Sequence, residues 1–129
     1  MKQEAINGYV AYHEEVGRIV SIEQLFDRRL IIREKGSGTR EIFEQHLEKL
    51  GYPVQAFVNS CVIDEPHLIL EMVLSGLGIS FMYDCMAKNY VEEKKLKMLE
   101  IPGFPVEHEF CVIWKPSGIE SIEQWNPLF

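Results

Sequence analysis

From Leu30 to Phe43 the chain reads Leu-Ile-Ile-Arg-Glu-Lys-Gly-Ser-Gly-Thr-Arg-Glu-Ile-Phe, and its character changes twice along the way. Leu30, Ile31 and Ile32 form an unbroken aliphatic run, so Arg29 to Arg33 suits a strand covered on both faces. A glycine-rich loop, Glu34 to Gly38, interrupts it. From Thr39 to Leu50 apolar residues return at helical spacing, with Ile42, Phe43, Leu47 and Leu50 on one face. Gly51 stops the helix as a left-handed cap, and Pro53 lies just beyond. A strand that turns through glycines directly into a helix is half of a βαβ unit.

That turn also has chemistry. Glycines let the backbone bend sharply and approach a ligand closely. A helix start leaves N–H groups without intrahelical acceptors. Ser37 and Thr39 add hydroxyls that rotate to fit, so the turn suits an anion or a carboxylate. The helix dipole contributes only about 0.3–1 kcal/mol at such a place, so a metabolite needs a second wall. The turn is not a phosphate loop of the Gly-Lys-Ser/Thr kind, because Arg40 follows Thr39 and Lys35 precedes the glycines. It is not a dinucleotide fingerprint either, since the third glycine is missing.

Working outward, Gly8 to His13 reads as a strand and Ser21 to Phe26 as one or two helical turns. Gln55 to Ser60 reads as a second strand. Asp64 or Glu65 caps a helix that opens with Pro66 and ends near Gly76. Apolar residues almost encircle that helix, which predicts deep burial. Gly78 to Tyr83 is a third core strand, and Asp84 caps a helix reaching about Glu92. Lys94 to Ile101 is a charged turn with an edge-like strand. Glu107 to Trp114 is a last strand, and Ile119 to Trp125 begins a helix. Strands alternating with helices at this rhythm predict an α/β fold, with a mostly parallel sheet and helices on both faces. Ligands of such sheets sit at the carboxyl ends of strands, which points to the 34–40 and 61–66 loops.

The 129 residues suffice for one compact domain. With 20 acidic against 13 basic side chains, the net charge is −7, and such a chain repels phosphate backbones. No run of about 18 apolar residues is present to span a membrane. Met1 to Asn7 lacks the apolar core of a signal peptide, so a cytoplasmic location is expected. Cys61, Cys85 and Cys111 are widely spaced, with no Cys-x-x-Cys pair, and read as reduced, mostly buried thiols. His67 and Glu71 are four apart, but the four histidines are scattered and no His-Glu-x-x-His exists, so no metal site or cofactor is expected. Lys94, Lys95 and Lys97 beside Glu92 and Glu93 read as a solvated turn.

The phrase Arg33-Glu-Lys-Gly-Ser-Gly-Thr-Arg-Glu-Ile-Phe43, between a strand and a helix ending Leu-Gly-Tyr, resembles the second lobe of LysR-type effector-binding domains. Ile69 to Phe81, with Val73, Gly76-Leu77-Gly78-Ile79 and Phe81, is similar to that lobe's second signature. Phe110 to Lys115 fits its return strand. The likeness spans residues 8–118. It implies one lobe of a type 2 periplasmic-binding-protein-like domain, in which two α/β lobes close on a small ligand. It also implies that the first lobe and a DNA-binding winged helix-turn-helix are absent from this chain, and that the last helix is cut near Phe129.

Carried over by position, the resemblance places Ser37, Gly38 and Thr39 on the ligand loop and Arg40 on the basic residue that opens the helix. Glu65 stands where the family often has Ser or Thr, and Tyr83 where it often has Pro. Either a ligand role or a structural role suits these two. No nucleophile, base and orienting group come together in these motifs, so an enzyme is not expected. The expected function is sensing of a small anionic or carboxylate effector by a bacterial regulator that meets DNA through a separate domain. A transporter's solute-binding protein is the alternative, followed by an enzyme on the same lobe. Trp114 and Trp125 are expected on the face toward the missing lobe, and apolar surface there favours a homodimer or larger homo-oligomer.

Overall fold

The computed structural model describes residues 2–14 and 21–110. Cys111, Trp114, Trp125 and the expected helix from Ile119 lie outside the described residues. The elements are β1 (Lys2–Ala11), β2 (Arg29–Ile32), α1 (Gly38–Lys49), β3 (Asn59–Val62), α2 (Pro66–Leu74), β4 (Ser80–Tyr83), α3 (Asp84–Glu92), β5 (Leu96–Met98) and β6 (Val106–Phe110).

The expectation of a mostly parallel sheet needs correcting, because most pairing is antiparallel. β1 pairs antiparallel with β4 on one edge and with β5 and β6 along the other. β2 and β3 pair parallel, with Leu30 opposite Ser60 and Ile32 opposite Val62. A parallel bridge between Leu30 and Ile79 joins β2 to β4. It is held by Ile31 N to Ile79 O at 2.8 Å and Ile79 N to Arg29 O at 2.9 Å. The strands therefore run in the order β3-β2-β4-β1-β5. The cause of the difference is β1 alone, which enters between β4 and β5 pointing against both. β2, β3, β4 and β5 still share one direction, so their carboxyl ends lie at the same end of the sheet.

Helices cover both faces, as expected, and strand alternation explains why. Ile6, Val10, Leu30, Ile32, Phe81 and Tyr83 face one core, which α1 closes with Phe43 and Leu47. Tyr9, Ile31 and Met82 face the other, closed by Ile69, Leu70 and Val73 of α2 and Ala87 of α3. Each such large apolar side chain contributes roughly 1.5–3 kcal/mol when fully buried. Phe43 stacks on Phe81 at 4.5 Å between ring centroids. Gly8 sits opposite Phe81 in the ladder, and a Cβ there would lie 2.9 Å from the Phe81 ring. The ring thus covers the bare backbone of β1.

Other boundaries move. β1 begins at Lys2 because its polar first half pairs with β6. The strand expected at Gln55–Ser60 is a 3-10 turn at Val54–Ala56, followed by β3 at Asn59. Phe57 is buried between them, packed against Phe26 and Phe43, and strand pairing starts only where β2 lies alongside. α2 is not deeply buried. Ile69, Leu70 and Val73 face the core, while Leu68 is 44% exposed. Asp84 does not cap α3, since Tyr83 holds that position and Asp84 opens the helix. The Asp84 carboxylate instead accepts from Asn7 Nδ2 at 2.8 Å and from the Tyr9 hydroxyl, tying α3 to β1. The thiols are less buried than expected: Cys61 is half-buried and Cys85 exposed.

Candidate functional site

The carboxyl ends of β2, β3 and β4 lead directly into α1, α2 and α3. Three helix starts therefore gather at one end of the sheet, and a cavity opens there. Thr39 of α1, Pro66 and Ile69 of α2, and Tyr83 and Met86 at the β4–α3 junction all line it. Arg33, one residue past β2, lines it as well, and Ser80 to Met82 form its floor. The cavity offers about 30 Å³ of room for solvent. Small-molecule sites commonly enclose roughly 300–1,000 Å³, so this cavity by itself does not enclose a metabolite.

Each residue expected at the site has a definite place. Ser37 is the N-cap of α1, and its Oγ accepts from Arg40 N at 3.4 Å. Gly38 is the first residue of that helix, one earlier than the spacing suggests. Ser37, Thr39 and Arg40 are all buried. Thr39 lines the cavity. Arg40 does not, because its guanidinium is held inside the fold. Its Nη1 donates to the backbone oxygen of Arg33 at 2.9 Å, and its Nε to Glu44 Oε2 at 3.3 Å.

Glu65 is the N-cap of α2, accepting from His67 N at 3.1 Å and Leu68 N at 2.9 Å, and is exposed. Tyr83 is fully buried in the cavity wall. Burial pushes its phenol up to about 12, with Cys85 and Glu4 adding to the effect. It stays neutral across the physiological range.

The residue missed from sequence is Arg33. It lines the cavity and pairs with its neighbour Glu34, Nε to Oε1 at 2.9 Å. That pair, with its own backbone second, holds the Glu34 carboxyl below its usual range. Its place directly after the aliphatic run of β2 was the available signal. Among the described residues no cluster of His, Cys, Asp and Glu is placed to hold a metal ion. Among them, too, no helix is long and apolar enough to cross a membrane.

A family model described as the LysR substrate binding domain matches residues 11–121. The chain belongs to the LysR substrate-binding domain family. A curated LysR-type relative, the HTH-type transcriptional activator CmpR of Synechocystis, is 30% identical over 109 residues, 80% of this chain and 33% of that protein. The regulatory domain of HypT from Salmonella typhimurium superposes with a TM-score of 0.66 at 14% identity, over 82% of this chain and 48% of that one. The CcmR regulatory domain from Synechocystis, solved in complex with 2-PG, superposes with a TM-score of 0.63 at 24% identity, over 81% of this chain and 50% of that one. These neighbours share the periplasmic-binding-protein-like α/β fold. The chain spans a quarter to a third of the length of the curated relatives it matches. Those relatives are transcriptional regulators and not enzymes.

Proposed function

We propose that this chain is the second lobe of a LysR effector-sensing domain, and that a small anionic or carboxylate metabolite docks on the wall formed by the α1, α2 and α3 starts. One observation supports this above the others. Thr39 and Tyr83, which are 44 residues apart in sequence, meet in one cavity at the carboxyl ends of co-directional strands. Open α/β sheets bind ligands at that end. The cavity is too small to enclose a metabolite, so an opposing lobe supplies the other wall. Coverage of about half of each solved regulatory domain agrees with one lobe of two.

In this reading, Ser37 and Gly38 shape the helix start and Thr39 reaches the ligand. Tyr83 gives the wall a neutral polar group, while Glu65 sets the α2 start beside it. Effector contacts favour one arrangement of the two lobes, and a homo-oligomer transmits it to separate DNA-binding domains. The ligand biases that equilibrium only by its differential affinity for the two arrangements. Action on DNA places the regulator in the bacterial cytoplasm. The fold is shared with solute-binding proteins, but the regulator relatives favour sensing over transport.

The test replaces Thr39 by Val in the full-length regulator, with DNA affinity in the absence of effector as the folding control. The expected result is an effector dose–response displaced to higher concentration. A midpoint identical to that of the parent protein removes Thr39 and this wall from the mechanism.

A further inference from the structure

Arg33 and Glu34 are adjacent, and of the two only Arg33 lines the cavity. Arg33 is the only residue lining the cavity, among those described, with a formal positive charge, and no carboxylate lines it. Its side chain is only 15% exposed, against 41% for Glu34. The Arg33 guanidinium meets Glu34 twice, Nε to Oε1 at 2.9 Å and Nη2 to Oε2 at 3.5 Å. The second contact is long, so the fork is not fully matched. The Arg33 backbone does not give, because Arg40 Nη1 holds its carbonyl oxygen. A largely buried cation therefore sits on a fixed backbone, lining a cavity and paired with a more exposed carboxylate outside it.

We infer that Glu34 is a displaceable internal counter-ion, and that the effector's anionic group takes its place on the Arg33 guanidinium. This inference rests on the proposed sensing role and adds the residue that holds the anion and the carboxylate it displaces. The rest of the wall is mainly apolar, with Pro66, Ile69 and Met86 beside the hydroxyl of Thr39. The ligand is then a compact anion, carboxylate or phosphate, whose body is apolar. An isolated neutral molecule gains nothing from Arg33 and leaves the Arg33–Glu34 pair closed. Releasing Glu34 costs little, since a partly exposed pair between neighbours is weak. Binding the anion in a closed, drier cleft returns more, because charge-assisted hydrogen bonds strengthen as water is excluded.

The experiment titrates the full-length protein with inorganic phosphate, butyrate and the uncharged butyramide, by calorimetry and by the arginine Nε NMR signals. Wild type is expected to bind at least one anion and not butyramide, with the Arg33 Nε resonance moving on saturation. Arg33→Gln should weaken that binding about tenfold to a hundredfold. Glu34→Gln should tighten it about twofold to fivefold, because the competing carboxylate is gone. Lys49→Gln, the same change of net charge at the far end of α1, should leave it unaltered.

The inference is overturned if Glu34→Gln weakens binding or leaves it unaltered, or if Arg33→Gln matches Lys49→Gln. It is also overturned if neither anion binds below roughly 10 mM, or if butyramide binds as well as butyrate. Thr39→Val separates the two levels. If it weakens anion binding while the Arg33 and Glu34 variants do not, only the counter-ion idea fails. If Thr39→Val has no effect either, the sensing wall itself is wrong.

Discussion

Arg40 donates from Nη1 to the backbone carbonyl of Arg33 across 2.9 Å, and this bond fastens the first turn of α1 to the end of β2. The basic residue that sequence placed against the ligand thus holds the scaffold, and the residue it holds faces the cavity. Glu44 occupies the other side of the guanidinium.

Replacing Arg40 by Met keeps most of the side-chain volume but leaves the Arg33 carbonyl and Glu44 without this partner. Hydrogen bonds from a charged donor contribute about 1.5–3 kcal/mol. Arg40→Met should lower stability by about that amount in urea unfolding. Arg40→Lys should recover little, because a point ammonium does not span both acceptors. Stability unchanged within error in both variants would show that the clamp contributes nothing.

Gly78→Ala should be damaging despite being a small change. A Cβ at Gly78 would stand 2.6 Å from the backbone oxygen of Arg29 and 3.2 Å from Ile31. That oxygen accepts from Ile79 N in the bridge between β2 and β4. Relief requires the two strands to part, and overpacking of this kind costs about 1–3 kcal/mol. The check is a thermal melt alongside Gly36→Ala, where a new Cβ meets nothing within 4 Å. Gly36 has a positive φ of 94°, so its variant reports backbone strain without the clash. A Gly78→Ala variant that melts with the parent protein would refute the close-approach argument.

Much of α1 was legible because its signals are local: a Ser cap, an apolar stripe and a glycine stop. The topology of the sheet was not. Direction along the chain is invisible to periodicity, and β1 reverses most of the pairing by its position alone. Its first half, Lys2 to Ala5, carries no hydrophobic alternation strong enough to announce a strand. α2 misled in the other direction, since apolar residues all round a helix do not reveal which of them a neighbouring element reaches. At the site, Ser37 and Thr39 were readable from capping chemistry. Arg33 and Arg40 both flank the same loop, and only the fold decides that Arg33 lines the cavity while Arg40 does not.

Alkaline pH should unfold the protein earlier than its exposed groups imply. Burial, and then its bond to Asp84, raise Tyr9 far above 10.0, and burial raises Tyr83 to about 12. Above about pH 10 the unfolded chain releases phenol protons that the fold retains, so the folded state binds more protons and stability falls as pH rises. Below that pH the contribution is fully present. Urea midpoints measured from about pH 8 to about pH 12 should decline beyond about pH 10. Tyr83→Phe should flatten part of that decline. A variant with the same slope as the parent would mean the phenol ionises freely in the fold.

Glu65 is where structure and ligand chemistry are easiest to separate. Its carboxylate accepts from both His67 N and Leu68 N, two amides that open α2. Loss of an N-cap costs about 0.5–2 kcal/mol, so Glu65→Ala should destabilise by about 1 kcal/mol. Glu65→Ser keeps a capping oxygen and removes the charge. If Glu65 only caps, the Ser variant should match the parent in both thermal stability and effector dose–response. If its charge also meets the effector, the Ser variant should keep its stability while the dose–response moves. For an anionic effector that movement should be toward lower concentration, because a neighbouring negative charge has gone. Movement toward higher concentration would mean that Glu65 attracts a cationic group, and would count against the anionic class assigned to this wall.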